Sequence, residues 1–338
     1  MFEKISIIGA GSWGSALAIL LADHGRPITL WGHNSKVVEE INTLHTNSAY
    51  IPDIAVPPNV RATSDLADAL EAPLIFMVTP SKAVRSVAGM LAALSPRPGT
   101  IIVSCTKGIE HGSGKLMGEV IEECLPECRL AVLSGPNLAL EIARRIPAAS
   151  VIGSAHQDIL EPLQQVLSVK GFRPYTSDDV MGIQLGGALK NIFAIAAGVS
   201  DGFKMGDNAK AALVTRSLAE MARIGIALGG RKETFFGLSG VGDLMATCFS
   251  KQSRNRLFGE RLGRGEKPAQ IIESMRMVAE GVPTTLSAWD CAKRFGIEAP
   301  VTQEIHAVLY EDKSLLEAMA ELIERPPKSE TEAGIQPK

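Results

Sequence analysis

The sequence predicts an α/β fold: a doubly wound, mostly parallel sheet followed by an all-α C-terminal domain. Three observations lead there. Residues 4–14 read as a short apolar strand, a glycine-rich turn and the opening of a helix. Strand and helix signatures then alternate as far as residue 177, which calls for a parallel sheet with helices on both faces. Downstream of 177 strand periodicity almost vanishes and helical periodicity takes over. Domain boundaries follow at 1–177 and 178–325, with a polar, proline-containing tail over 326–338 expected to be disordered.

The opening stretch carries the most information. Gly9, Gly11 and Gly14 have the G-x-G-x-x-G spacing between an apolar strand and a helix. The first glycine permits a tight turn, the second lets a pyrophosphate approach the backbone, and the third lets the helix pack on the strand. The helix N-terminus adds unpaired N–H groups, a ready anion site. This is the Rossmann-type dinucleotide pattern, and the glycine spacing alone would not establish it. Residues 5–22 also carry no charge, about the length of a membrane span, and Lys4 before an apolar run imitates a signal peptide. Glu3 and the three glycines argue against both, so no membrane span is expected.

Composition narrows the class. The chain has 338 residues, 46% hydrophobic and 21% charged, with a formal net charge of −3. That describes a globular protein with no global field for nucleic acid. Five scattered cysteines point to reduced thiols and a cytoplasmic location. Cys124 and Cys128 lack a second ligand pair, so no metal site is expected.

The elements follow in order. Strands are expected over 5–8, 28–31, 74–78, 100–104, 130–133 and 150–153. Helices are expected over 15–24, 36–44, 81–93, 115–124, 138–144 and 159–167. Ligands of such sheets lie beyond the carboxyl ends of the strands, so each following turn is a candidate. After the second strand come His33 and Asn34, without the acidic residue of a strict NAD site. They permit a 2′-phosphate, or they are solvated turn residues. After the third come Thr79, Pro80 and Ser81, which start a helix. After the fourth comes Lys107, either a cleft cation or a snorkelling surface lysine. After the fifth come Gly135, Pro136 and Asn137, a site of close ligand approach or an ordinary helix cap.

In the second half Asp178 and Asp179 cap a long apolar helix to residue 199. Further helices are expected over 207–228, 253–262, 269–277, 284–295, 302–310 and 314–323. The long helix ending at residue 199 holds the anomaly. It is nearly all apolar yet carries Gln184, Lys190 and Asn191. Gly186, Gly187 and Ala194 leave the face around Lys190 bare, so something can lie against it. Two interior glycines cost about 1 kcal/mol each in a helix. Burial lowers the pKa of a lysine, and a second cation such as Lys107 lowers it further. That makes Lys190 a candidate proton carrier; the plainer alternative is an ion pair, perhaps to Asp243. A glycine turn over 240–242 presents Asp243. Residues 251–256 gather donors, with arginine forks suited to phosphate, or they form a solvated helix start.

As a set these motifs resemble one family, the bacterial-type NAD(P)-dependent glycerol-3-phosphate dehydrogenases. The resemblance covers roughly residues 4–322. It rests on Gly9–Gly14, the Leu-Trp-Gly-His run ending at His33, Thr106-Lys107-Gly108, Ser134-Gly135-Pro136, Gly187-Ala188-Leu189-Lys190-Asn191, Gly242-Asp243-Leu244, Ser253-Arg254-Asn255 and Val278-Ala279-Glu280-Gly281. It implies reversible reduction of dihydroxyacetone phosphate to sn-glycerol 3-phosphate, a precursor of phospholipids, with NADPH or NADH. It further implies dinucleotide contacts at Ser12, Trp13, His33, Tyr50, Lys107, Ala139, Arg254, Val278 and Glu280. The implied substrate contacts are Lys107, Gly135, Asn137, Lys190, Asp243, Thr247, Ser253, Arg254 and Asn255. Lys190 is the implied proton carrier, with Lys107 and Asp243 assisting. Asn137 stands where the family often has Ser or Thr. A homodimer is expected by family habit. Two other readings stay open: a ketopantoate-type or hydroxy-acid dehydrogenase, and a non-catalytic nicotinamide sensor.

Overall fold

The computed structural model describes residues 2–275, 278–327 and 329–330. Eight strands form one sheet: β1 Ile5–Ile8, β2 Ile28–Trp31, β3 Val60–Thr63, β4 Leu74–Met77, β5 Ile101–Ser104, β6 Arg129–Ser134, β7 Ala148–Gly153 and β8 Phe172–Ser177, in the order β3-β2-β1-β4-β5-β6-β7-β8. All pairings are parallel except β6 with β7. Two strands, β3 and β8, and the reversal at β7 are not in the sequence expectation. The connection from β6 to β7 holds only a short helix, and an antiparallel pair needs no full crossover. Because β7 runs backwards, its first residues lie beside the carboxyl end of β6, where Ser134 pairs with Val151.

The helices of the first half are α1 Ser12–Leu21, α2 Ser35–Leu44, α3 Leu66–Ala69, α4 Val84–Ala93, α5 Met117–Cys124, α6 Ala139–Ala143 and α7 Gln157–Leu167. They cover both sheet faces, which explains the unbroken apolar runs in the strands. In β4, Leu74 and Phe76 join one core while Ile75 and Met77 join the core on the opposite face, as strand alternation requires. The apolar run over 5–22 is therefore β1 and α1, packed in this core.

The second half follows directly: α8 Val180–Gly202, α9 Asp207–Ala227, α10 Lys232–Phe235, α11 Asp243–Phe249, α12 Arg254–Gly263, α13 Pro268–Ser274, α14 Gly281–Phe295, α15 Pro300–Tyr310 and α16 Leu315–Ile323. Helices α10 and α11 were not expected as helices. The expected helix over 269–277 ends at Ser274, and residues 276–277 lie outside the described residues. So does most of the tail expected to be disordered, residues 328 and 331–338. The Asp179 side chain caps α8 by accepting from Gly182 N–H at 2.9 Å. Helix α8 is long and apolar enough to cross a membrane, but 83% of its most apolar window is buried inside the protein. It is the central helix of the second core.

Glycine sets how closely its neighbours approach. Helix α12 lies along α8 in the same direction, with Asn191 opposite Asn255, Ile195 opposite Gly259 and Val199 opposite Gly263. A Cβ on Gly259 would sit 1.9 Å from the Ile195 carbonyl oxygen, and one on Gly198 would sit 2.0 Å from that of Arg256. The two backbones therefore touch without intervening side chains.

Candidate active site

The carboxyl ends of β1, β4, β5 and β6 open towards α8, α11 and α12, and the polar groups converge there. Lys190 projects from α8 with only 7% of its surface exposed. Its ammonium donates to Asp243 Oδ1 at 2.6 Å and to Thr247 Oγ1 at 2.7 Å. The Thr247 hydroxyl itself donates to the Asp243 backbone carbonyl at 2.7 Å, which leaves its oxygen as an acceptor for the lysine. Lys107, at the end of β5, donates to Asp243 Oδ2 at 2.5 Å and to the Gly135 carbonyl at 3.0 Å. Asp243 thus bridges two lysines, one from each half of the chain. An ammonium has three donors, so each lysine retains one N–H beyond the bonds just given.

Burial lowers the Lys190 pKa to about 8; Asp243 pulls it upward and Lys107 pushes it down again. The ion pair with Asp243 is present and the pKa is still depressed, so the ion-pair reading of Lys190 does not exclude the proton-carrier reading. Lys107 is no snorkelling surface residue. Its stem runs over Gly187, where a Cβ would come within 3.3 Å of Lys107 Cγ. The backbone of Ser239 fills the space at Gly186, where a Cβ would lie 2.6 Å from its carbonyl. The bare face of α8 thus receives the lysine stem and the turn that delivers Asp243. That turn is one π-helical loop, Leu238–Gly242, leading straight into α11.

The glycine turn fits a dinucleotide. Gly9 has φ of +125°, and a Cβ there would lie 2.8 Å from the Val78 carbonyl. A Cβ on Gly14 would meet the Gly9 carbonyl at 1.8 Å, whereas one on Gly11 would point into open space. Backbone is thus presented to the cleft at Gly11, and no side chain caps α1, so its first-turn N–H groups are left for an anion. The Ser12 hydroxyl donates to the Tyr50 carbonyl at 3.0 Å. Trp13 and Ala139 pack against the core beneath this turn. His33 is exposed at the end of β2, while Asn34 caps α2 through Lys36 N–H at 3.0 Å.

The remaining candidates lie at the start of α12, ahead of α14 and after β6. Ser253 caps α12, its hydroxyl accepting from Arg256 N–H at 3.2 Å. Arg254 is exposed at the rim, yet the protein around its head group lowers its pKa from the usual arginine value, with Glu280 opposing; the guanidinium stays charged regardless. The Asn255 side chain is spent on structure, donating to Asn191 Oδ1 at 2.8 Å and accepting from Gly281 N–H at 2.9 Å. Its backbone N–H, like that of Arg254, lies in the first turn of α12 and has no partner within the helix. The Asn137 amide nitrogen is buried without a partner, while its oxygen accepts from the Ser150 hydroxyl. Val278 is half-buried beside Glu280.

Two family models cover nearly the whole chain. The one described as NAD-dependent glycerol-3-phosphate dehydrogenase N-terminus matches residues 4–160, and the corresponding C-terminus model matches residues 179–320. The chain belongs to this family. Among curated relatives it is 46% identical to the glycerol-3-phosphate dehydrogenase [NAD(P)+] of Streptomyces griseus, over 97% of this chain and 98% of that one. It is 46% identical to the enzyme of the same name from Syntrophotalea carbinolica, over 97% and 99% of the two chains. The crystal structure of glycerol-3-phosphate dehydrogenase from Coxiella burnetii is 40% identical, with a TM-score of 0.91 over 96% of this chain and 99% of that one.

Within this glycerol-3-phosphate dehydrogenase fold, two site-building residues escaped sequence reasoning. Asn47 is fully buried and donates to the Ala10 carbonyl at 3.0 Å and Ser15 Oγ at 2.8 Å, clamping the glycine turn. Ser150 orients Asn137. Each acts on a partner distant in sequence, and neither interrupts a periodic pattern, so no local signal marks them.

Proposed function

We propose that this chain catalyses the reversible reduction of dihydroxyacetone phosphate to sn-glycerol 3-phosphate with NADPH or NADH. The observation that carries this reading is Asp243 bridging Lys107 and Lys190 at the carboxyl edge of the sheet. When bound, the reduced nicotinamide supplies the hydride that adds to the carbonyl carbon. The chain's own groups handle the rest. Negative charge that builds on the carbonyl oxygen is met by the remaining N–H of Lys107 and by Lys190, which transfers a proton to that oxygen. Asp243 and Thr247 hold the Lys190 ammonium in place. With two lysines to one carboxylate, the cluster keeps a surplus positive charge that suits an anionic substrate. Arg254 and the first-turn N–H groups of α12 take the phosphate, a remote handle that aligns the carbonyl. The amide nitrogen of Asn137 is a further substrate donor.

The dinucleotide is assigned to the turn over Gly9, Gly11 and Gly14 with Ser12, Trp13, His33, Tyr50, Lys107, Ala139, Arg254, Val278 and Glu280. The product serves glycerophospholipid synthesis, and the enzyme acts as a cytoplasmic homodimer divided at residues 177 and 178. The assay is the loss of reduced-nicotinamide absorbance on adding dihydroxyacetone phosphate, run with NADH and NADPH side by side. Turnover is expected, and Lys190→Ala is expected to bind the dinucleotide while losing about 10²–10⁴-fold in kcat. Dinucleotide binding without turnover in the unaltered protein would replace this reading with a sensor.

A further inference from the structure

Ser81 opens the helical segment that follows β4, and Glu280 immediately precedes α14. They are 199 positions apart, yet Ser81 N–H donates to Glu280 Oε1 at 3.0 Å. The Ser81 hydroxyl donates to Glu280 Oε2. One residue thus grips both oxygens of the carboxylate, at a helical start where N–H groups favour an anion. On the sheet side, Ser81 seats the turn that carries Lys107. A Cβ on Gly108 would lie 2.7 Å from Ser81 Cβ, and the Thr106 hydroxyl donates to the Thr79 carbonyl at 2.7 Å. On the helical side, Gly281 N–H and Asn255 continue the connection to Asn191, the neighbour of Lys190. Hydrogen bonds joined by short backbone links, Thr79 to Ser81 and Glu280 to Gly281, therefore run from the turn of one lysine to the helix of the other. An exposed bridge from Gln252 to Glu141, at 3.1 Å, also joins the two halves.

We infer that Ser81 is a positioning residue for the dinucleotide, holding Glu280 so that its spare lone pairs accept from the paired hydroxyls of a ribose. A carboxylate has about four lone-pair sites. Ser81 occupies two, and two are left, enough for a vicinal diol. The inference rests on the reading of Glu280 as a dinucleotide contact. Without the Ser81 hydroxyl only the backbone N–H still holds Glu280, through Oε1; the carboxylate can reach the ligand but is free to turn about that one bond, and affinity falls by the entropy of ordering it.

The test compares the unaltered protein with Ser81→Ala, Glu280→Gln and the double variant. The NADPH dissociation constant is measured by fluorescence titration, and KM and kcat by the absorbance assay. Ser81→Ala is expected to raise the dissociation constant and the KM for NADPH about tenfold, the scale of one charge-assisted hydrogen bond. Its kcat at saturating NADPH is expected to fall less than threefold. In the Glu280→Gln background the same change is expected to add less than threefold, because the two-oxygen carboxylate that the hydroxyl orients is already gone. An unaltered dissociation constant in Ser81→Ala, or a full tenfold effect in the Glu280→Gln background, overturns the inference. The titrations need no turnover. Failure of dihydroxyacetone phosphate to be reduced by the unaltered protein would therefore defeat the proposed activity alone.

Discussion

The depressed pKa of Lys190 has a direction that kinetics can read. At about 8 it is set first by burial, then by Asp243 and Lys107. Below that pH the side chain holds the proton that carbonyl reduction consumes; above it the proton is gone. The kcat for reduction is therefore expected to fall as pH rises through about 8, and the kcat for oxidation to rise over the same interval. Profiles of both directions with saturating substrates check this, and two parallel profiles would deny the lysine its role. This residue was legible in the sequence because a charge on an otherwise apolar helix must be paired or displaced in pKa. Its partner Asp243 was named from the sequence as the suggested ion pair and through the family resemblance, not from any local pattern. Nothing local ties Asp243 to Lys190, 53 residues earlier, and the intervening π-helical loop reads as a plain glycine turn.

At the level of elements, the pairing of α8 with α12 makes a sharp test of glycine as a packing residue. Gly259 lies inside a helix, where alanine is intrinsically favoured by up to about 1 kcal/mol. A Cβ there would sit 1.9 Å from the Ile195 carbonyl oxygen. Gly259→Ala is nevertheless expected to destabilise the fold by about 2 kcal/mol, the scale of overpacking, and to lower the Tm. A higher Tm would show the helices free to separate. The elements that sequence reasoning passed over are the edge strands. β3 follows two prolines and carries the exposed Arg61, and β8 alternates buried with exposed residues around Pro174. Buried strands announce themselves by apolar runs; half-solvated ones of four to six residues look like loops.

For the molecule as a whole, the dinucleotide site proposed above draws on both halves: the glycine turn from the sheet, Arg254 and Glu280 from the helical half. A ligand held by both ties them together in the native state alone, so NADPH at 100 times its dissociation constant is expected to add about 2.7 kcal/mol of stability. Thermal unfolding with and without the dinucleotide measures it; no shift would mean the cleft does not take the ligand. The two-part architecture was readable from the change of periodicity near residue 177, whereas the contacts across the cleft were not, since Ser81 and Glu280 meet only once the chain has folded. With α8 and α12 in direct backbone contact, the gap between the Lys190 ammonium and the head of α12 cannot stretch to suit its guest. The pair is a locked caliper: if α12 takes the phosphate as proposed, dihydroxyacetone phosphate is expected to be reduced faster than a homologue one carbon longer between carbonyl and phosphate.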